Sequence, residues 1–197
     1  MKLLKTFLTM CCLCIASQAW SLPNPNDFIE KIANQTLKAI LENDSAHAGN
    51  IEGIQEVVNQ YVMPYVDMNR ATRLAVGAPW RQATDAQKKA LVDGFSMTLM
   101  QTYSGAFKAV DKDTKITMLP FRGDPKAKDV VVSSVLENLT NRIRVDYRMI
   151  QTNDSWLVYD LAVEGIWLIQ NYRNQFAGEI SRHGIDGLVE ALSKKKQ

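Results

Sequence analysis

The chain has 197 residues, 46% of them hydrophobic and 22% charged, which is sufficient for one domain with a sizeable core. Its 23 basic and 21 acidic residues leave a formal net charge of +2, without the clear positive excess that is typical of a nucleic-acid-binding domain. The three cysteines are Cys11, Cys12 and Cys14, so the chain beyond them can form neither a disulfide framework nor a cysteine-ligated metal site.

The first 19 residues have the features of a secretory signal peptide. Two lysines precede an apolar run of about ten residues, 7–16, which is short of the roughly 20 that a membrane-spanning helix needs. Small residues predict cleavage after Ala19, with Ser21 as an alternative. We therefore expect residues 1–19 to be removed on export and residues 20–197 to form a single domain.

The first part of the exported domain is predicted to be helical. Pro25 lies where a first helical turn tolerates proline, and Pro64 is expected to end or kink a second helix. A third, short helix is expected from about Asp67 to Gly77. Apolar residues at helical spacing mark the first helix at Phe28, Ile29, Ile32, Leu37, Ile40 and Leu41, and the second at Ile51, Ile54, Val58, Tyr61 and Val62.

A long helix is predicted to begin at Thr84. Thr84, followed three residues later by Gln87, has the pattern of a capping box, in which each residue hydrogen-bonds the other's backbone. The apolar face of this helix is expected to comprise Leu91, Phe95, Leu99, Ala106 and Val110.

Four strands are predicted after Asp113, over residues 115–121, 130–136, 142–150 and 155–163. The third alternates between two sets of side chains, so one of its faces should be buried and the other wet. The two sets are Ile143, Val145, Tyr147 and Met149 on one face, and Arg142, Arg144, Asp146 and Arg148 on the other. Asn153-Asp154 is typical of a two-residue hairpin turn, and residues 138–141 give a weaker turn signal.

The fourth strand is expected to break at Gly165 and to turn directly into an amphipathic helix. From Ile166 the apolar period becomes helical, and two helices that meet near His183-Gly184 finish the chain. The predicted fold class is therefore α+β, with a four-stranded, mostly antiparallel sheet wrapped by N-terminal and C-terminal helices.

The residue types give little support for an enzyme. His47 lies in a predicted polar loop, and His183 is more simply a residue at a helix C-terminus. The sequence contains no nucleophile elbow, phosphate-binding glycine loop or metal-ligand cluster. Asp160 and Glu164 would lie about 13 Å apart on a strand, which is too far for joint acid–base catalysis. Asp67 is more simply a helix N-cap. If the protein is an enzyme, Asp67 or Asp160 would act as its buried base.

Several sequence blocks fall in the order and spacing of a known family. The blocks are Pro64-Tyr65-Val66-Asp67, Leu74 to Gly77 with Trp80-Arg81, Phe95 with Leu99 and Tyr103, Trp156 with Tyr159-Asp160, Glu164-Gly165, Phe176, and Gly184 to Leu188. Together they resemble the MlaC family, also called toluene-tolerance proteins, which are periplasmic phospholipid carriers. The resemblance covers roughly residues 24–193. The family usually has a small residue, often serine, at the position of Trp167, and this indole would reshape any cavity nearby.

The resemblance implies a carrier without a cofactor or enzymatic activity, in which an apolar cavity between sheet and helices holds phospholipid tails. It implies a periplasmic protein that shuttles lipid between the outer and inner membranes and so maintains outer-membrane lipid asymmetry. The implied partners are an outer-membrane lipoprotein–porin complex and the substrate-binding subunit of an inner-membrane ABC transporter. The residues expected to line the cavity are Phe95, Leu99, Tyr103, Val132, Ile143, Val145, Tyr147, Leu161, Val163, Trp167, Leu168 and Tyr172.

The residues on their own favour a filled core, because apolar stripes usually pack tightly. A lipid carrier, however, needs little more than a large apolar lining. Two acyl chains hold about 30 methylenes, and their exposure to water would cost on the order of 20 kcal/mol. A binding protein for another apolar cargo and the small α+β enzyme are the two further hypotheses.

Overall fold

The computed structural model describes residues 22–124 and 126–194. The predicted signal peptide and both candidate cleavage sites lie outside these residues. None of the helices in the two described ranges combines the length with the hydropathy that a bilayer crossing requires.

Helices form the first part of the described chain. Their bounds are α1 Pro25–Glu42, α2 Asp44–His47, α3 Ile51–Tyr61, α4 Met68–Val76, α5 Asp85–Thr102 and α6 Ser104–Lys108, with 3₁₀ turns at Met63–Tyr65 and Ala78–Arg81. Leu41, which the sequence placed on the apolar face of the first helix, is instead 40% exposed. It lies in the last turn of α1, beyond the buried Ile40.

The helix starts follow from the predicted capping residues. Asp67 caps α4, because its carboxylate accepts the N–H of Arg70 at 2.8 Å. Thr84 and Gln87 form the predicted capping box of α5, with reciprocal bonds of 2.8 and 3.2 Å. Gly77 ends α4 with a φ of 75°, which favours glycine.

The predicted long helix is two helices. It ends at Thr102, and Tyr103, with a ψ of 10°, separates it from α6. A Ser104-Gly105 pair follows the break, and such pairs weaken a helix at that point. Val110 therefore lies outside both helices, although it is buried as expected. The apolar spacing continues across the break, which is why periodicity does not reveal it.

One antiparallel sheet follows, in the strand order β1-β2-β3-β4-β5. The bounds are β1 Lys115–Met118, β2 Asp129–Glu137, β3 Arg142–Gln151, β4 Trp156–Val163 and β5 Ile166–Trp167. The first strand is shorter than predicted and stops before Pro120, which cannot donate to a strand partner. The α+β prediction is confirmed, but the sheet has five strands rather than four.

The fifth strand occupies the predicted start of the last helix. Glu164 and Gly165 both have positive φ angles, 51° and 80°, and they fold the chain back on β4. Ile166 then pairs with Val163, and the helix begins two residues later than predicted. This helix, α7, spans Leu168–Lys194, and Gly184, with a φ of 70°, divides it into the two helices that the sequence predicted.

Three apolar clusters hold these elements together. The α5–α7 cluster, which includes Leu91, Phe95, Tyr172, Phe176 and Leu188, joins α4, α5 and α7. The sheet cluster packs α1 against one face of the sheet and includes Phe28, Ile29, Val130, Val132, Met149, Trp156 and Val158. The α1–α3 cluster includes Ile40, Ala46, Ile54, Val57 and Val110. We call the face toward α1, which carries Val145 and Tyr147, the inner face.

The opposite, outer face of the sheet carries the charged side chains of β3. It is less wet than the alternation predicts, because Asp146 is buried. The guanidinium of Arg144 lies 2.9 Å from the Asp146 carboxylate and covers it. Arg148 reaches Asp160 of β4 at 3.0 Å in the same way.

Candidate functional site

An apolar cavity of about 220 Å³ lies between α1 and the inner face of the sheet. We call this cavity the chamber. Its lining comprises Ile29, Ile32, Ala33, Thr36, Leu37, Val62, Tyr65, Val66, Ile116, Leu136, Val145, Tyr147, Val158 and Leu161. No charged side chain belongs to this lining, so the space suits a hydrocarbon ligand and not an ionised one.

Helix α1 supplies one wall of the chamber. Ile29, Ile32, Ala33, Thr36 and Leu37 follow each other at intervals of one, three or four residues and therefore share a helix face. The hydroxyl of Thr36 donates to the carbonyl of Ile32 at 2.8 Å. This wall is therefore apolar in effect, because its hydroxyl group is already bonded within the helix.

The segment after α3 forms a second wall and is fixed to the sheet. Val66 bridges Val158 in parallel, and the N–H of Asp67 donates to the carbonyl of Val158 at 2.8 Å. Tyr65 packs edge-to-face on Phe28 of α1, with ring centroids 5.7 Å apart. The segment therefore joins the edge of β4 to α1 and closes the chamber between them.

The floor of the chamber is the inner face of β1 to β4. A bulge in β4 shapes this floor, because Arg148 pairs with Asp160 while Met149 pairs with Val158. Tyr159 is thus an extra residue, and it lets Val158 and Leu161 line the same chamber although they are three residues apart.

One polar pair interrupts the apolar floor. The Oη of Tyr147 lies 3.1 Å from the Oγ of Ser134, and Ser134 is 0% exposed. Burial raises the pKa of the Tyr147 phenol, more than the bond to Ser134 lowers it. The phenol is therefore protonated at neutral pH and can donate a hydrogen bond.

Two smaller cavities adjoin the chamber. A side cavity of about 60 Å³ shares Val66, Val158 and Leu161 with it and continues toward α5 and α7. Another, of about 130 Å³, shares Leu136 and lies under the turn between β2 and β3. A few shared side chains therefore lie between the chamber and further space on two sides.

The twelve residues predicted to line a cavity are spread over several environments. Val145, Tyr147 and Leu161 line the chamber. Phe95, Leu99 and Leu168 line the side cavity, together with Leu161. Ile143 lines the cavity under the β2–β3 turn.

The remaining five predicted residues lie elsewhere. Val132 is in the sheet cluster, and Tyr172 is in the α5–α7 cluster, against which Tyr103 packs. Val163 pairs with Val145 on β3. Trp167 pairs with Ala162 near the outer face, where its ring lies 3.8 Å from the Arg148 guanidinium carbon. The indole therefore covers an ion pair and does not reach the chamber lining.

Sequence reasoning missed most of the α1 wall and the whole segment from Val62 to Val66. The sequence places Ile29, Ile32 and Leu37 on an apolar helix face, and the structure places them in the chamber lining. No signal in the sequence separates core from cavity, because a residue that lines a cavity and one that fills a core share the same helical period.

The two carboxylates of the enzyme hypothesis are engaged in structural bonds. Asp67 caps α4. Asp160 is buried and accepts the N–H groups of Leu161 and Ile169 at 2.9 and 3.1 Å, while Arg148 donates to its other oxygen at 3.0 Å. Burial raises the pKa of Asp160, and these bonds only partly oppose it. Both side chains thus have a local role at the start of a helix.

Comparison with known proteins agrees with the family resemblance. The family model of the MlaC protein matches residues 30–194. Toluene tolerance protein ttg2D of Pseudomonas putida is 25% identical over 180 residues, which cover 88% of this chain and 83% of that protein. The intermembrane phospholipid transport system binding protein MlaC of Haemophilus influenzae is 20% identical over 174 residues, or 87% of this chain and 81% of that protein.

A solved structure agrees in fold as well as in sequence. The phospholipid-binding protein from Ralstonia solanacearum, in complex with a phospholipid, is similar with a TM-score of 0.83 and 33% sequence identity. The similarity covers 88% of this chain and 97% of that chain. The likeness therefore extends over the described helices and sheet as a whole.

Proposed function

The chain belongs to the MlaC protein family, and we propose that it is a phospholipid carrier whose chamber holds acyl tails. The observation that carries the proposal is the apolar chamber between α1 and the sheet. It lies in a chain whose relative from Ralstonia solanacearum was solved with a phospholipid bound. Without that space, the likeness would give the fold and the family but no place for the acyl tails.

Elementary energetics explain why a chamber of this kind is sufficient. Two acyl chains with about 30 methylenes would cost on the order of 20 kcal/mol to expose to water. A carrier must bury nearly all of that surface, yet it must release the lipid to another apolar environment. Such an exchange can be close to neutral in free energy, so the protein needs no chemical step and no cofactor.

We expect the walls of the chamber to move when a lipid binds. An apolar cavity of about 150 Å³ binds one benzene molecule, so about 220 Å³ is too small for two acyl chains. Rotation of Leu161 would join the chamber to the side cavity, and rotation of Leu136 would join it to the cavity under the β2–β3 turn. We expect bound tails to occupy this connected space.

The proposed place of action is the periplasm, with lipid shuttled between the outer and inner membranes to maintain outer-membrane asymmetry. The N-terminal sequence supports export, since residues 1–19 have the features of a secretory signal peptide. The name of the Haemophilus influenzae relative, a binding protein of an intermembrane phospholipid transport system, supports the same role. The proposed partners are an outer-membrane lipoprotein–porin complex and the substrate-binding subunit of an inner-membrane ABC transporter.

Native mass spectrometry of the exported, purified protein tests the proposal. We expect a population whose added mass equals that of a diacyl phospholipid. A bound mass of another kind would point instead to a carrier of different apolar cargo. A protein that is always empty, even after incubation with phospholipid vesicles, would contradict the proposal.

A pair of matched variants locates the lipid. Val145→Asp places a carboxylate in the chamber lining and should lower lipid occupancy roughly tenfold or more, because a buried charge disfavours hydrocarbon beside it. Val131→Asp makes the same change on the neighbouring strand, where the side chain is 46% exposed, and should leave occupancy unchanged. Circular dichroism confirms that both variants are folded. Unchanged occupancy in folded Val145→Asp would mean that the tails lie elsewhere.

A further inference from the structure

The hydroxyl pair of Tyr147 and Ser134 has a capacity for hydrogen bonding that the protein does not fill. The two oxygens lie 3.1 Å apart, and either can donate to the other. Each hydroxyl carries one hydrogen, and one bond between the two uses one of these hydrogens. The second hydrogen has no acceptor among the described residues that surround the pair.

No described residue of the chamber lining accepts this spare hydrogen. Ser134 is fully buried, and Tyr147 belongs to the lining of the chamber, whose other side chains are apolar except for Thr36 and Tyr65. A buried donor without an acceptor is unfavourable. A ligand that brings a neutral acceptor to this point would therefore gain a hydrogen bond.

The register of the sheet gives the position of the pair along the chamber. Ser134 pairs with Val145, Val145 with Val163, and Val163 with Ile166. This row ends at the solvent, because Ile166 is 62% exposed. The Tyr147 hydroxyl lies 3.1 Å from the hydroxyl of Ser134 and is therefore part of this row.

We propose that the Tyr147–Ser134 hydroxyl pair donates a hydrogen bond to an ester carbonyl of a bound glycerolipid. The inference rests on the proposed function and adds a recognition contact to it. An acyl tail has no acceptor, and a phosphate is an ion that this uncharged lining would not stabilise. The ester carbonyl is the neutral acceptor of a diacyl glycerolipid, and it matches the chemistry of the pair.

A competition between two lipids isolates this contact. Delipidated protein is incubated with vesicles that hold equal amounts of a diester phospholipid and the diether phospholipid with the same headgroup and chain length. Native mass spectrometry then gives the ratio of the two bound lipids. Because one neutral hydrogen bond contributes a modest net free energy, we expect a preference of about two- to tenfold for the ester lipid.

The decisive variant is Ser134→Ala/Tyr147→Phe, which removes both hydroxyls together. Removal of both partners is nearly neutral for folding, and the variant should load both lipids equally well. Tyr61→Phe removes the same phenol oxygen from α3, outside the chamber lining, and should keep the preference for the ester lipid. Thermal unfolding of each variant verifies that it is folded.

The outcomes separate this inference from the proposed function. If the wild type loads ester and ether lipids equally, the hydroxyl pair does not bind a carbonyl, although the carrier function stands. If the double variant keeps the preference for the ester lipid, another group binds the ester carbonyl and the inference is wrong. If no lipid loads in any variant or in the wild type, the carrier function itself fails.

Discussion

Two buried carboxylates on the outer face of the sheet, Asp146 and Asp160, have pKa values shifted in opposite directions. Burial alone would raise the pKa of Asp146, but hydrogen bonds from Arg144 and Ser133, with the charge of Arg144, lower it overall. Burial also raises the pKa of Asp160, and there the opposing bonds and Arg148 do not fully offset it. Neighbouring residues on one sheet therefore give opposite dependences of stability on pH.

Asp146→Asn should destabilise the protein at pH 7 and have little effect in acid. A carboxyl whose folded pKa is lowered contributes stability above its unfolded pKa, near 4, and that contribution is lost as pH falls through the folded pKa. We expect a loss of about 1 kcal/mol at pH 7, since Arg144 is 55% exposed and solvent screens the pair. Urea unfolding at pH 7 and pH 3 gives the free energy of unfolding of the wild type and of Asp146→Asn. The difference between the two proteins should be smaller at pH 3.

Asp160→Asn provides the contrast for the same measurement. The folded pKa of Asp160 is raised, so its ionised form is disfavoured in the folded state and protonation stabilises the protein as pH falls. Because asparagine does not titrate, the unfolding free energy of the wild type should rise relative to that of Asp160→Asn from pH 7 toward pH 4. If the unfolding free energy of the wild type instead fell relative to that of the variant, as expected for Asp146→Asn, the direction given for the pKa of Asp160 would be wrong.

At the scale of elements, the break in α7 depends on the backbone of one glycine. Gly184 has a φ of 70°, and a Cβ built there would meet no atom within 4 Å. Gly184→Ala should therefore destabilise through backbone strain and not through a clash, by about 1 kcal/mol. Chemical denaturation gives the free energy of unfolding.

Gly178→Ala is the matched control, because it makes the same substitution in the same helix. Gly178 is within the helical part of α7, its φ is not in the positive range, and a Cβ there also has open space. Alanine should stabilise this position by roughly 0.5–1 kcal/mol. The two glycine-to-alanine substitutions should thus change the free energy of unfolding in opposite directions. Equal changes would contradict the strained geometry at Gly184.

The elements that the sequence predicts best are those with a local physical signal. The capping box at Thr84 and the alternation of β3 each specify an element from a few neighbouring residues. The break at Tyr103, followed by a Ser104-Gly105 pair, and the strand Ile166–Trp167, preceded by Gly165, have weaker signals. The first lies within an unbroken apolar period. The second depends on positive φ angles at Glu164 and Gly165, and only at Gly165 does the residue type favour such an angle.

At the scale of the whole molecule, the sequence predicts the fold class but not the position of the cavity. The chamber lies where α1 and the sheet are held apart, between the sheet cluster and the α1–α3 cluster, and Val66, bridged to Val158, forms one of its walls. That separation depends on how distant elements pack. Leu161 and Leu91 show why the sequence does not locate the cavity. Both are apolar residues in regular elements, yet Leu161 lines the chamber and Leu91 is fully buried.

Leu161→Ala and Leu91→Ala distinguish a hollow interior from a filled one. In the lipid-free protein, Leu91→Ala should cost about 2–5 kcal/mol, because it leaves a void in the α5–α7 cluster. Leu161→Ala should cost less, about 1–2 kcal/mol, because its side chain is only partly buried and already borders a cavity. Both values come from chemical denaturation of delipidated protein.

The same two variants behave differently once lipid is bound, since acyl tails can fill space that a chamber residue vacates. Lipid loading stabilises every variant that binds it, but it should recover at least about half of the cost of Leu161→Ala. The cost of Leu91→Ala should be the same with and without lipid, because Leu91 borders none of the cavities that make up the connected space. Equal costs for Leu161→Ala in the two states would mean that Leu161 packs as a core residue, and that the connected space proposed for the tails does not form.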